Sequence, residues 1–482
     1  MAIVGRFVAT CGVPDVLFSL WSSLMSIAAL ILAAGQGTRL KSKLPKVLHR
    51  LAGRPLVLHA LDAAAAVTGG RPVLVVGHGA EAVRAAVGER ATYVVQAEQL
   101  GTGHAVLQGR AALVGQADDV LVSYGDMPLL RSETLQALIE RRRETGAAVV
   151  LLTIDAPELV DFGRVLRAPE GGVTAIVEFA QATPEQRALP ERNVGAYCFD
   201  AAWLWAALPR LPLSPKGEYY LTDAIALAVT DGRRVEAVKT DDPAETIGIN
   251  TRAQLAQAEA ALRERINTDW MAAGVTLIDP ATTYIEPTVA IGPDTVIAPN
   301  THLRGSTTIG AECEIGPNSV IVDTTIGDRC AVRQSLLESA WLAEDVDVGP
   351  FAHLRSGARL ERGVHMGNFG EIKNATLGPG VKMGHFSYIG DAQIGAESNI
   401  SAGTITCNYD GVKKSKTVLG ERVFLGSDTL LVAPVTLGDD AQTGAGSVVT
   451  HDVPPNTLAL GVPARVVRER GQRLTEKRPE GH

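Results

Sequence analysis

The chain has 482 residues, enough for two or three domains with separate cores. Hydrophobic residues at 46% and charged residues at 20% are ordinary for a soluble globular protein, and the net charge of −8 argues against general nucleic-acid binding. The five cysteines (Cys11, Cys198, Cys313, Cys330, Cys407) are scattered, with no Cys-x-x-Cys pair to suggest zinc, so a reducing cytoplasm is expected. Aromatic residues make up only 5% while glycines number 49, a skew that predicts thin, repetitive, turn-rich architecture in part of the chain.

Val13 to Gly35 is nearly charge-free and long enough to pass for a membrane span on hydropathy. Its second half reads instead as a strand and loop of a folded domain, so no membrane insertion is expected. Met25 looks like a natural start, and residues 1–24 are expected to be a non-native extension, since no small-residue cleavage site precedes Met25.

Ile27–Ala33 is an apolar run predicted to be a buried parallel strand. It breaks at Gly35 and Gly37, where the backbone can turn tightly and present bare amides. Thr38, Arg39, Lys41, Lys43 and Lys46 follow at once. Amides for phosphate oxygens beside fixed cations suit a nucleoside triphosphate. The glycines alone read equally well as an ordinary turn, because neither a Walker-type loop nor a dinucleotide fingerprint is present. Pro55–Val67 has helical periodicity, Pro72–Val76 is a second strand, Glu81–Val87 a helix and Thr92–Val95 a third strand. Val120–Tyr124 is a fourth strand, closed by Gly125-Asp126-Met127-Pro128. This alternation predicts a Rossmann-like α/β domain with a mostly parallel sheet and ligands at the strands' carboxyl ends. Each candidate motif falls at such an end. Asp126 is a carboxylate on a tight turn and suits a hard oxygen-seeking ion such as Mg²⁺.

Thr251 to Ala273 is uninterrupted by Gly or Pro and predicts a long helix joining two domains, with the linker placed at 251–274. From about Ile291 the pattern changes. Ile291-Gly292, Ile297-Ala298, Leu303-Arg304, Ile309-Gly310 and Ile315-Gly316 recur every six residues, and the beat returns through Thr443-Gly444. This is the hexapeptide β-helix signature, with roughly nine coils placed within 275–466. The clearest interruption is Gly403–Val418, which carries Asn408, Tyr409 and a basic run. Upstream, His385 sits in a turn and Glu371 nearby; a histidine beside a carboxylate is a plausible general base for an amine. The charged segment from 467 to His482 is expected to be a flexible tail.

Leu32-Ala33-Ala34-Gly35-x-Gly37-Thr38-Arg39 with Leu44-Pro45-Lys46 resembles the signature of the sugar-nucleotide pyrophosphorylases. The resemblance implies that Leu32, Ala33, Ala34 and Gly35 grip the nucleotide, while Arg39 and Lys46 steady the phosphoryl group under attack. Gln96, Gly101 and Thr102 match its uracil-reading segment. Tyr124, Gly125 and Asp126 match its metal-bearing turn, with Asn250 as second Mg²⁺ ligand. Gly163, Glu178 and Asn193 match its sugar contacts, and Tyr220 and Thr222 fall near the sugar phosphate.

Both halves together resemble the bifunctional bacterial family that acetylates glucosamine 1-phosphate with acetyl-CoA and then transfers UMP from UTP to the product. The resemblance runs from Met25 to Val462. It implies a left-handed β-helix in which His385 is the catalytic base, supported by Glu371. Arg355, Lys373, Tyr388, Asn399, Asn408 and Tyr409 would bind glucosamine 1-phosphate, and Ala402, Ser427 and Ala445 would border acetyl-CoA. Gly461-Val462-Pro463-Ala464-Arg465 departs from the family's ending, which leaves Arg465 as the candidate for a late CoA-contacting arginine. The resemblance also implies a cytoplasmic homotrimer that makes a cell-envelope precursor, with an acetyltransferase site shared between chains. Two rivals remain at this point: a monofunctional pyrophosphorylase with an assembly-only β-helix, and a non-enzymatic exchange-factor subunit of translation initiation. An intact Arg39, Lys46 and Asp126 set speaks against the second.

Overall fold

The computed structural model describes residues 26–469. The expected extension at 1–24 and the tail beyond 469 lie outside the described residues. Packing divides the chain between Glu259 and Ala260, inside the helix Arg252–Ala272, where the sequence places the linker.

In the first unit a seven-strand path runs in the order Val235–Lys239, Val149–Asp155, Glu191–Asp200, Asp119–Tyr124, Ile27–Ala33, Val73–Val76, Thr92–Val95. Ile27–Ala33 pairs in parallel with both neighbours. Its Ile31 and Ala33 enter the core on one face, and its Leu30 and Leu32 enter the core on the other. Helices cover both faces, which is why this strand is continuously apolar rather than alternating. Glu191–Asp200 is the exception, antiparallel to both its neighbours. It also carries the hairpin Arg164–Arg167/Val173–Val177.

The second unit is a parallel β-helix. Three sheets of short strands stack along it, holding twelve, ten and nine strands. In each coil one aliphatic side chain per strand points inward. Ile297, Ile315, Val332, Val348, Met366, Met383 and Ile400 form one such row, all buried and in register. The ladder starts at Thr276–Leu277, before the point where the six-residue beat becomes regular. Around the first coil, Ile266 and Trp270 pack on the core, and Asn267 Nδ2 donates to the carbonyls of Pro280 (2.8 Å) and Thr283 (3.0 Å).

Two boundaries differ from the sequence reading. Ile405–Cys407 and Thr417–Leu419 both belong to the ladders, so the excursion is narrower than Gly403–Val418. Its tip is a small hairpin in which Tyr409 bridges Lys414. The flexible tail does not begin at 467. Ala464–Glu469 is a strand that returns antiparallel along Thr457–Gly461, and backbone pairing holds those charged residues in place. Among the described residues no helix is long and apolar enough to cross a membrane.

Candidate active sites

In the first unit a cavity of about 340 Å³ opens at the carboxyl ends of Ile27–Ala33 and Asp119–Tyr124. Leu32, Ala33, Ala34, Gly35, Lys46, Gln96, Gly101, Thr102, Tyr124, Asp126 and Tyr220 all line it. A second recess of about 440 Å³ is lined by Thr38, Arg39, Lys46, Gln99 and Asn250, so Lys46 and Gln99 border both. Gly37 has φ +64°, and a Cβ there would fall 2.6 Å from Lys46 Cβ. Only glycine makes that turn and admits the lysine stem. Gly101 is similar, with φ +100° and space for a Cβ blocked at 2.5 Å by Tyr219 O.

Lys46 Nζ is ion-paired with Asp126 and lies 2.9 Å from Asn250 Oδ1. A backbone bond from Ile249 N to Asp126 O (2.9 Å) ties the two oxygen-bearing segments together. The carboxylate and the amide oxygen thus converge on one point, and the ammonium there is a stand-in cation. An oxygen pair of this kind fits Mg²⁺, which keeps waters and substrate phosphates as its remaining ligands. Among the described residues no group of three or more His, Cys, Asp or Glu forms a metal cage.

The expected sugar contacts gather on the hairpin side. Thr222 Oγ1 donates to Glu178 Oε1 at 2.9 Å. Asn193 Nδ2 donates to Tyr197 Oη at 2.7 Å, while its Oδ1 is buried with no hydrogen-bond partner among the described residues. Gly163 lies against it, accepting from Asn193 N at 3.0 Å. Burial, then the Glu178 and Asp126 carboxylates, push the Tyr124 phenol up, so it stays neutral. Two residues in this region were not singled out from sequence. Gln99 Nε2 donates to Ala34 O at 2.8 Å, and His104 Nδ1 lies 3.1 Å from Gln96 Nε2. Both lie among Gln96, Gly101 and Thr102 just after the strand Thr92–Val95, and that position at a strand end is the signal that could have found them.

In the second unit, hydrogen-bond register stacks His385, Ala402, Ser427 and Ala445 along one corner of successive coils. His385 is exposed, and its Nδ1 lies 3.3 Å from Asn368 Oδ1, one coil earlier on the same corner. Arg355 and Lys373 point outward from one row of the adjacent face, beside the row of Glu371 and Tyr388. Gly390 continues the first of these rows, and the missing side chain leaves room for the Tyr388 hydroxyl and the Asn408 amide. Asn408 donates to Asp391, and Tyr409 is exposed with its hydroxyl donating to Gly411 O at 2.6 Å.

Two placements differ from expectation, Glu371 and Asn399, and the strand position of Arg465 fills in a third. Glu371 is ion-paired with Arg355 at 2.7 Å, and the polar neighbour of His385 is Asn368 rather than Glu371. Asn399 lies on a different face from Arg355, Lys373 and Tyr388, its amide donating to Ser401 Oγ at 3.1 Å. Arg465 sits on the terminal antiparallel strand, opposite Leu460.

The MobA-like NTP transferase domain family matches residues 29–210. The bacterial transferase hexapeptide family (six repeats) matches 288–323, and the hexapeptide repeat of succinyl-transferase matches 416–451. The "Bifunctional protein GlmU" of Exiguobacterium sibiricum is 48% identical over 437 residues, covering 90% of this chain and 97% of that protein. The protein of the same name from Pelobacter propionicus is 48% identical over 458 residues, covering 94% and 99%. That of Heliobacterium modesticaldum is 47% identical over 433 residues, covering 90% and 94%. A transferase fold with its cavity at the strand ends, a hexapeptide β-helix after it, and this identity along nine-tenths of the chain lead to one assignment: the chain belongs to the bifunctional GlmU family.

Proposed function

We propose the following roles for the residues of this bifunctional uridylyltransferase and acetyltransferase. In the first unit a phosphate oxygen of N-acetylglucosamine 1-phosphate attacks the α-phosphorus of UTP, and the bond to pyrophosphate breaks. Arg39 and Lys46 hold the phosphoryl oxygens, Gln96, Gly101 and Thr102 the base, and Gly163, Glu178, Asn193, Tyr220 and Thr222 the sugar phosphate. Asp126 and Asn250 would hold Mg²⁺, which when bound neutralises charge on the phosphate oxygens. The convergence of Asp126, Asn250 and Lys46 at the mouth of the cavity carries this reading.

In the second unit the amine of glucosamine 1-phosphate attacks the thioester carbonyl of acetyl-CoA. The C–N bond forms, the C–S bond breaks, and the thiol leaves. Asn368 Oδ1 takes a hydrogen bond from His385 Nδ1, which leaves Nε2 unprotonated to receive the amine proton. Arg355, Lys373, Tyr388, Asn408 and Tyr409 hold the sugar phosphate, while Ala402, Ser427, Ala445 and Arg465 border the coenzyme. Asn399 faces another way, so a second copy packed against this face would bring it to the same ligand. A homotrimer with shared acetyltransferase sites meets that need, since closed cyclic symmetry satisfies every interface. The described cysteines are free thiols, in keeping with a cytoplasmic enzyme.

A monofunctional pyrophosphorylase is not favoured, because the bifunctional relatives match along both units. The test is one assay: purified protein with acetyl-CoA, glucosamine 1-phosphate, UTP and Mg²⁺, followed for thiol and for pyrophosphate. Release of both supports the reading, and thiol release without pyrophosphate would defeat the first-unit roles.

A further inference from the structure

Gln96 is only 5% exposed and its amide forms part of the nucleotide cavity wall. Its Nε2 lies 3.1 Å from Gly101 O and 3.1 Å from His104 Nδ1. A backbone carbonyl can only accept, so Gly101 decides which end of this amide is nitrogen. The second N–H then meets His104 Nδ1, which must accept it. In a neutral imidazole the proton therefore sits on Nε2. On the far side, Gln108 Nε2 stands 3.1 Å from that Nε2 and donates to His104 O at 3.1 Å. Two N–H groups cannot face each other, so turning the Gln108 amide over, which sets its oxygen against the imidazole N–H, completes the network.

We propose that His104 is a positioning residue for base selection: as the Nε2–H tautomer it holds both N–H groups of Gln96 away from the ligand and leaves Oε1 to face the base. An oxygen there accepts the N3–H of uracil. Cytosine carries an unprotonated N3, so two acceptors would oppose each other in a buried site, and such mismatches discriminate strongly. The amide alone could serve either base by rotating. The histidine removes that choice, with Gln108 fixing the histidine in turn. This inference rests on reading the cavity as a uridine-nucleotide site.

The experiment uses the full-length chain with N-acetylglucosamine 1-phosphate and Mg²⁺, and compares kcat/KM for pyrophosphate release from UTP and from CTP. His104→Leu removes the acceptor and should raise the CTP-to-UTP ratio about tenfold. His104→Asn can place its Oδ1 where Nδ1 stood and should stay within about threefold of wild type. Should His104→Leu fail to fold, the half-buried Gln108 carries the same logic. Gln108→Lys offers only donors, forces His104 Nε2 to accept and turns an N–H toward Gln96, so the ratio should rise. Gln108→Glu keeps the acceptor, so the ratio should hold. Equal losses for both nucleotides in His104→Leu, with no movement of the ratio in Gln108→Lys, would overturn the role of His104. A wild-type protein that turns over neither nucleotide would instead overturn the reading of the cavity.

Discussion

Gly367 offers a way to disturb the proposed acetyltransferase site by backbone sterics alone. It lies in the turn one coil before Gly384 and His385, with its N–H donating to Met383 O at 2.8 Å. A Cβ built on Gly367 would stand 2.7 Å from the Gly384 carbonyl carbon and would overlap the carbonyl oxygen. Carbon atoms rest about 3.5–4.0 Å apart, so Gly367→Ala must push the next coil by roughly 1 Å. Overpacking of this kind costs about 1–3 kcal/mol. The displaced peptide is the one that leads directly into His385. A misplacement of about 1 Å at a catalytic group can lower a rate about 100-fold. Thiol release from acetyl-CoA should therefore fall by about that factor, while pyrophosphate release from UTP holds, because its residues lie in the other unit. Gly292→Ala is the control: its Cβ would stand 2.6 Å from the Gly310 carbonyl carbon, far from His385 along the β-helix. It should lower thermal stability comparably and leave acetylation near wild type. Normal acetylation by Gly367→Ala, or an equal loss in Gly292→Ala, would refute the steric argument.

Three further outcomes are expected. Asp126→Ala should abolish pyrophosphate release and spare thiol release, and His385→Ala should do the reverse; robust acetylation by His385→Ala would remove it as the base. Arg142 is buried between Asp200 (2.7 Å) and the fully buried Asp119 (3.3 Å). Arg142→Met removes the guanidinium from both carboxylates, with Arg143 still 3.4 Å from Asp119, and should destabilise the first unit by roughly 3 kcal/mol, read as early thermal loss of uridylyl transfer while acetylation survives. Mixing inactive His385→Ala with inactive Asn408→Ala chains under subunit exchange should restore some thiol release. Persistent inactivity after proven exchange, or a monomer by light scattering, would sink the shared site.

Ile27–Ala33 was legible because an interior parallel strand buries both faces and so reads as an unbroken apolar run. The β-helix was legible for a related reason: each coil repeats the same inward aliphatic, and local spacing alone exposes it. Glu191–Asp200 was not legible. Its buried Arg192 is satisfied by the carbonyls of Leu159 (2.9 Å) and Pro157 (3.2 Å), and Glu191 pairs with Arg167 at 2.7 Å. Those partners are remote in sequence, so the first three residues of this central antiparallel strand look locally like a polar surface segment. The site shows the same divide. Loop residues such as Gly37, Lys46 and Asp126 announce themselves at strand ends. Which side chain touches His385 depends on coil-to-coil register, and Asn368 and Glu371 are equally plausible neighbours until that register is known.

A parallel β-helix has two raw ends, each a row of unpaired backbone groups that could template another copy. Among the described residues, part of each end is covered. The helix residues Ile266, Asn267 and Trp270 sit over the first coil, and the antiparallel return of Ala464–Glu469 occupies the outer edge of Thr457–Gly461. Those covered edges are no longer free to template a further copy. The proposed homotrimer would instead pack along the flanks, where head-to-tail contacts close into a ring of fixed size if the rotation closes.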